Sequence, residues 1–483
     1  LLLLLGLILP AAVIRAQHNV VFVQDGVTDG GNITDGGVSG VAYSTLGMAV
    51  SHASAGDTIR LLSSVSVDGY LAISKSLTLD LNGDTVNISG SGVGLMTSNA
   101  TLTVKGGGTG AILRDDGTAV TVYGGLVLES GAIQGNPAIF SGGTVTVNGG
   151  SVTNTADNGT AFEVQGGAVT VNGGSITNAG KSGKALDNQS GTVYMYGGEV
   201  TNTGSGYTVA LYNTSTAVIR GGSITNNTYY ALYNYGTANV GGTISGYIAI
   251  YNATNKTLTM DSGTVSGRYY ALYNNGAATI NGGTVSSTEA YGFYHLAGTL
   301  TINGGTFRFS KPGNYYTSVF KATTYIAGGE FIDNGSTGNY YMLIDGGTLT
   351  MTGGSVTSAC EYTIVMRNGS TLNANGGTIE NTYTGNAGLG VRARVQDNEA
   401  SSANTINIDG ATILIGHSPN GDGIASLGKN GTSIGGTNYI TMSSGTIIAD
   451  RFCICNNGTY VDSRGVWRIT GGTLKSNSGF SMY

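Results

Sequence analysis

The chain has 483 residues, of which only 10% are charged and 83 are glycine, with a formal net charge of −6. A typical soluble protein carries roughly 25% charged residues and about 7% glycine. A disordered glycine-rich tract is excluded, because 40% of the residues are hydrophobic, only 4 are proline, and apolar and polar residues alternate. The acidic balance excludes the basic patch on which nucleic-acid binding rests.

The first segment, residues 1–16, is an apolar run broken by Gly6 and Pro10 and followed by small residues. It reads as the apolar region and cleavage end of an export signal, cut after Ala16 and truncated at its start, since neither a charged n-region nor an initiating Met precedes it. The alternative is a short membrane anchor, but the run falls below the ~20 residues a spanning helix needs. The expectation is therefore a secreted, extracellular or cell-surface protein with no membrane span in the mature chain.

Residues 17–56 are expected to form a lead-in and cap. The stretch "DGVTDGGNITDGG", Asp25 to Gly37, has oxygen donors that suit calcium, but its spacing matches no EF-hand loop, so it is taken as a polar, turn-rich lead-in.

From residue 57 to 483 the chain repeats. "TVTVNGGSVTN" at Thr144 returns as "AVTVNGGSITN" at Ala168, and the Gly-Gly step recurs mostly every 20 to 25 residues. Three residues before the second Gly stand Val147, Val171, Met195 and Ile219; two after it stand Val152, Ile176, Val200 and Ile224. Thr, Ser and Asn fill the places between, which is the period of a strand with one buried face. Each unit then reads as strand, glycine corner, strand and a short third strand. Units of this period stack into a solenoid, each strand lying over its equivalent about 4.8 Å away. The predicted fold is all-β: a right-handed, single-stranded parallel β-helix of about 18 coils, a rod roughly 85–90 Å long. Longer loops are expected near 380–405 and 414–439.

"STLGMAVSHASAGDTIRLL", Ser44 to Leu62, followed by "ISKSLTLDLNG", Ile73 to Gly83, resembles the opening of secreted bacterial β-helix proteins of the pectate-lyase-like superfamily, adhesin-type surface proteins among them. The resemblance implies that a short amphipathic helix, here about Thr45 to Ala53, caps the first coil, with "AGDTIRLL" as the first strand; it covers this cap and, more loosely, the repeats. It implies the fold but not the activity, because that superfamily holds lyases, glycosidases, adhesins and fibres.

Candidate chemistry is sparse. Glycoside cleavage needs paired carboxylates, and a lyase needs a base beside positive charge. Asp115 and Asp116 would face opposite ways on a strand. The best cluster lies in the long loops: Arg392, Arg394, Asp397 and Glu399 in one, His417 and Asp422 in the next. Cys453 and Cys455 are expected on one face of a strand, with Cys360 several turns away; all three are read as small apolar residues within the stack. No cofactor and no metal are expected. Asn-x-Ser/Thr sequons at Asn158, Asn213, Asn252, Asn334, Asn368 and Asn457 permit glycosylation without arguing for it.

The strongest surface signal is tyrosine, 28 residues crowded into the middle of the chain. Successive third strands read "ALYN", "ALYN", "AIYN", "ALYN" and "GFYH". With Leu211, Leu232, Ile250, Leu272 and Phe293 inward, Tyr212, Tyr233, Tyr251, Tyr273 and Tyr294 stand outside as a strip roughly 20 Å long. The small Ala or Gly beside each Tyr is expected to leave the ring face open. Such a strip suits sugar rings or a partner surface; the alternative is that the rings only stack on one another and stiffen the sheet. Two classes of function remain. One is a non-catalytic structural or adhesive rod, a surface or fibre subunit whose partners are neighbouring copies end to end or extracellular glycans. The other is a polysaccharide lyase or hydrolase with its site in the long loops. The end of the sequence, "WRITGGTLKSNSGFSMY", stops just after a corner without a polar cap, so either truncation or a covering subunit or domain is expected there.

Overall fold

A computed structural model describes residues 19–310, 316–333, 340–394, 403–427, 437–456, 464–478 and 481–483. The expected export signal at residues 1–16 lies outside them. Over the described residues the chain is an all-β parallel solenoid of about 17 turns with a single helix.

Each turn contributes a strand to three faces. In the first, Thr144–Val147 pairs with Ala168–Val171, which pairs with Thr192–Met195. In the second, Ser151–Asn154 lies against Ser175–Asn178, and that against Glu199–Asn202. In the third, Gly159–Val164, Gly183–Asn188 and Thr208–Asn213 follow one another. Equivalent residues sit in register, so the interior columns predicted from the repeat, among them Val147, Val171, Val152 and Ile176, are fully buried. One continuous core runs the length of the stack.

The corner explains the glycine content. Gly174 has φ +74°, and a Cβ there would stand 2.6 Å from the carbonyl oxygen of Gly150 in the turn below. Only glycine meets both the left-handed backbone and the close approach. Gly292 answers a different demand: it stands where the preceding turns have Ala, and a Cβ would lie 2.2 Å from the Phe309 ring.

The helix α1, Leu46–His52, caps the stack as expected. Thr45 accepts a hydrogen bond from the Met48 N–H at its start, and Leu46, Ala49 and Val50 are buried beneath it. At its end, Lys75 Nζ donates to the carbonyls of Ser51 (2.9 Å) and Ala53 (2.7 Å), satisfying the open carbonyls and the negative end of the dipole together. The lead-in holds more structure than expected. Val20–Val23 pairs in parallel with Thr58–Leu61, so the "AGDTIRLL" strand is not the first in the stack. The Asp25 to Gly37 stretch supplies part of an antiparallel hairpin, Gly31–Asp35 with Val38–Tyr43.

The ranges 380–405 and 414–439, expected as loops, carry third-face strands Leu389–Arg394 and Asp422–Leu427, which pair with each other. The cysteines are buried thiols, but Cys453 and Cys455 do not share a face: Cys453 belongs to the main core, and Cys455 to a small outer cluster with Leu389 and Ala425. Asp115 and Asp116 lie in an exposed bend rather than a strand. Among the described residues, no helix is long and apolar enough to cross a membrane.

Candidate contact surface

The register of the third face aligns Tyr212, Tyr233, Tyr251, Tyr273 and Tyr294 in one column. Leu211, Leu232, Ile250, Leu272 and Phe293 are buried in the core while these tyrosines are half-buried, so the outward phase holds. Successive ring centroids are 5.5, 4.6, 5.2 and 5.3 Å apart.

The open ring faces expected from the neighbouring Ala and Gly are not found. The planes of the first four rings lie within 15°, 13° and 30° of one another in sequence, so each face is covered by the next ring. Ala210, Ala231, Ala249 and Ala271 are themselves fully buried. What the strip presents outward is therefore ring edge and hydroxyl, because offset stacking at the strand spacing uses up the faces.

The surface is also wider than the sequence column. A parallel column of Val209, Tyr230, Ile248, Tyr270 and Tyr291 flanks it. Tyr230 meets Tyr233 edge-on at 4.5 Å, and Tyr270 meets Tyr273 at 5.4 Å. Tyr207, Tyr229, Tyr235, Tyr247 and Tyr269 join the same network. The signal was present as the tyrosine doublets Tyr229–Tyr230 and Tyr269–Tyr270 just upstream of the second and third "ALYN". At the upstream end Lys184 Nζ sits 4.0 Å over the Tyr212 ring while paired with Asp187 at 2.6 Å. A cleft of about 270 Å³ opens there between Tyr207 and Tyr212, with Asn158 and Lys184 on its wall. Burial, reinforced by neighbouring hydroxyls, pushes the phenols of Tyr230, Tyr233 and Tyr270 well above the usual tyrosine range; burial also raises Tyr212 and Tyr273.

Behind each of these tyrosines the sequence reading missed a second feature. The Asn closing each "YN" points inward and is completely buried: Asn213, Asn234, Asn252 and Asn274. They form a ladder of side-chain hydrogen bonds from turn to turn. This removes Asn213 and Asn252 from the possible glycosylation sites, whereas Asn158 is exposed. Asn334 and Asn457 lie outside the described residues.

The loop cluster does not assemble into paired carboxylates among the described residues. Asp422 is fully buried and held by Arg451 through two hydrogen bonds of 2.9 and 2.5 Å. Arg392 lies over the Tyr362 ring at 4.2 Å, and His417 is exposed. Asp397 and Glu399, like the side chain of Arg394, fall outside what is described. No group of three His, Cys, Asp or Glu suited to a metal occurs among the described residues. Fold and surface thus define a parallel β-solenoid with a stacked tyrosine face. No family model, no curated protein and no solved structure matches this chain.

Proposed function

We propose that the chain is a non-catalytic structural or adhesive rod of the cell exterior, a surface or fibre subunit that meets neighbouring copies or extracellular glycans through its tyrosine face. The observation that carries this reading is the row of tyrosine edges and hydroxyls at strand spacing on a charge-poor solenoid. Aromatic groups with a polar tip are enriched where surfaces meet. The strip's most exposed members, Tyr207 at 59% and Tyr235 at 39%, gather at its upstream end beside the cleft. Secretion rests on the apolar opening of the sequence. The enzymatic alternative is less favoured, because Asp422, its best-described carboxylate, is committed to Arg451.

The test replaces Tyr233, Tyr251 and Tyr273 with Ser together. Lost stacking costs about 0.5–1.5 kcal/mol per pair, which a solenoid of this length tolerates, so far-UV circular dichroism stays unchanged. Sedimentation of assembled material, or retention on immobilised glycans, is expected to fall at least tenfold. If both persist at the wild-type level in the folded variant, the tyrosine face is not the contact surface.

A further inference from the structure

Between Asn188 and His295 each turn of the third face aims one polar side chain inward, and the bonds between them run one way. Asn188 Nδ2 donates to Asn213 Oδ1 at 2.8 Å, Asn213 to Asn234 at 2.9 Å, Asn234 to Asn252 at 2.8 Å and Asn252 to Asn274 at 2.8 Å. The last amide nitrogen, Asn274 Nδ2, lies 3.0 Å from His295 Nδ1. His295 Nε2 lies 3.0 Å from the Thr323 carbonyl oxygen. Asn274 Oδ1 already accepts from Asn252 and from the Gly276 N–H. Its NH2 must therefore face the imidazole, so Nδ1 accepts and Nε2 carries the proton. The ladder dictates the tautomer of a fully buried histidine.

A second proton on this ring would set Nδ1–H against the Asn274 NH2, donor against donor. Turning the Asn274 amide over passes the same conflict to Asn252 and then rung by rung to Asn188. It would also break the bonds these amides donate to the carbonyls of Thr237, Thr257, Ala277 and Gly276. Such a chain is held in one direction because every member is satisfied by the next. Among the described residues, no neighbouring carboxylate compensates for the added charge. Lys321 pairs with Asp345 at 3.3 Å and Arg268 with Glu289 at 2.7 Å. Arg308 and Tyr325 are exposed, and Tyr270, Tyr273, Tyr291 and Tyr294 stand on the outer face.

We propose that His295 is an acid-sensitive latch in the rod: protonation releases the strand Tyr291–His295 from its neighbours and withdraws Tyr291 and Tyr294 from the tyrosine face. Burial holds the imidazole below its ordinary value of 6.5, in keeping with this geometry. The released strand takes up its proton at about 6.5, whereas the docked strand resists it. The docked form is therefore fully stable above about pH 6.5. Below it, opening grows by about tenfold per pH unit until the docked imidazole itself titrates.

Hydrogen exchange of peptides spanning Tyr291 to Leu296, corrected for the intrinsic pH dependence of exchange, tests the latch. Between pH 7.5 and 5.0 protection in the wild type is expected to fall, to a ceiling of about 30-fold set by the 1.5 units below 6.5 converted at tenfold each and reached only where the docked imidazole stays neutral throughout. In His295→Asn, which continues the ladder with an uncharged amide, it is expected to stay level. Equal pH dependence in the two chains overturns the latch. Imidazole NMR of the wild type gives an independent reading should the variant misfold: Nδ1 unprotonated at pH 7 is expected, and a proton on Nδ1 there overturns the ladder argument. The consequence for the surface rests on the function proposed above. Assembly that ignores pH while exchange responds would overturn that consequence and leave the latch standing.

Discussion

Replacing Asn234 with Ala tests whether the buried ladder holds the turns together. Asn234 Nδ2 donates to Asn252 Oδ1 (2.8 Å), to the Thr257 carbonyl (3.0 Å) and to the Gly236 carbonyl (3.3 Å). Its Oδ1 accepts from Asn213 (2.9 Å) and from the Gly236 N–H (3.2 Å). Truncation leaves Asn252 Oδ1 and the Gly236 N–H buried without these partners, at roughly 1–3 kcal/mol each. Adding the void left by the amide, the expected loss is about 3–5 kcal/mol. The control is Asn172→Ala, which removes an Asn–Asn bond of 2.9 Å on the exposed surface and should stay within about 0.5 kcal/mol. Because a solenoid's stability is carried turn by turn, the assay is hydrogen exchange of peptides over residues 211–260, with urea unfolding for the whole rod. If Asn234→Ala costs no more than Asn172→Ala, the interior ladder contributes nothing that the surface bond does not, and the reasoning fails.

At the corners, Gly174→Ala meets both a φ of +74° and a carbonyl oxygen 2.6 Å from the new Cβ, whereas Gly108→Ala meets a φ of +95° with open space around it. The first should lose about 3 kcal/mol or more and the second about 1 kcal/mol; equal melting temperatures would show that the close approach between turns is unimportant. At alkaline pH, burial keeps the phenols of Tyr230, Tyr233 and Tyr270 neutral in the folded rod, while in the unfolded chain they ionise near 10. Stability is then full below about pH 10 and declines above it. Melting temperatures between pH 9 and 12, followed with the tyrosinate absorbance band, should show this decline, shallower in the Tyr233, Tyr251 and Tyr273 triple variant; a decline of equal slope in both chains would separate it from the stack.

Much of the fold was legible because strand period and corner chemistry are local. Val147 and Val152 flank Gly150 at fixed offsets, and the same offsets recur at Gly174 and Gly198, so the columns could be read without coordinates. The helix was legible only through the likeness of Ser44 to Leu62 to a known capping pattern, not through the repeat. Less legible was whatever depends on the neighbouring turn. Alternation placed Tyr233 outward, but not its ring against Tyr251, since side-chain stacking is set by the spacing between turns. The Val20–Val23 strand was overlooked because it pairs with a segment 38 residues away and carries no Gly-Gly step. Asn234 was read only as the end of "ALYN", because a buried amide gives no period of its own; it is satisfied solely by Asn213 below, Asn252 above and the next corner.

That dependence also explains why the ladder stops where it does. Farther up the same column stand Phe320, Ile344 and Met366, all buried in the core. From Asn213 to Asn274, each inward amide donates to a carbonyl in the turn that leads to the next strand, as Asn274 does to Gly276 at 3.0 Å. Beyond His295 the polar groups move one residue on, to the sequence "IDGG". Asp345 there receives Arg367 through two bonds of 3.1 and 3.0 Å and also pairs with Lys321. Arg367 and Lys321 hold its carboxyl below the usual range, against the opposing effect of its own burial. The polar interaction at this corner is thus made by uncharged amides inside the core in one stretch and by a carboxylate with its cations outside the column in the next. His295 lies at the junction, bonded on one side to the amide chain and on the other to the Thr323 carbonyl. It is the one rung able to take up a proton between two stretches of the rod that solve the same corner by different chemistry.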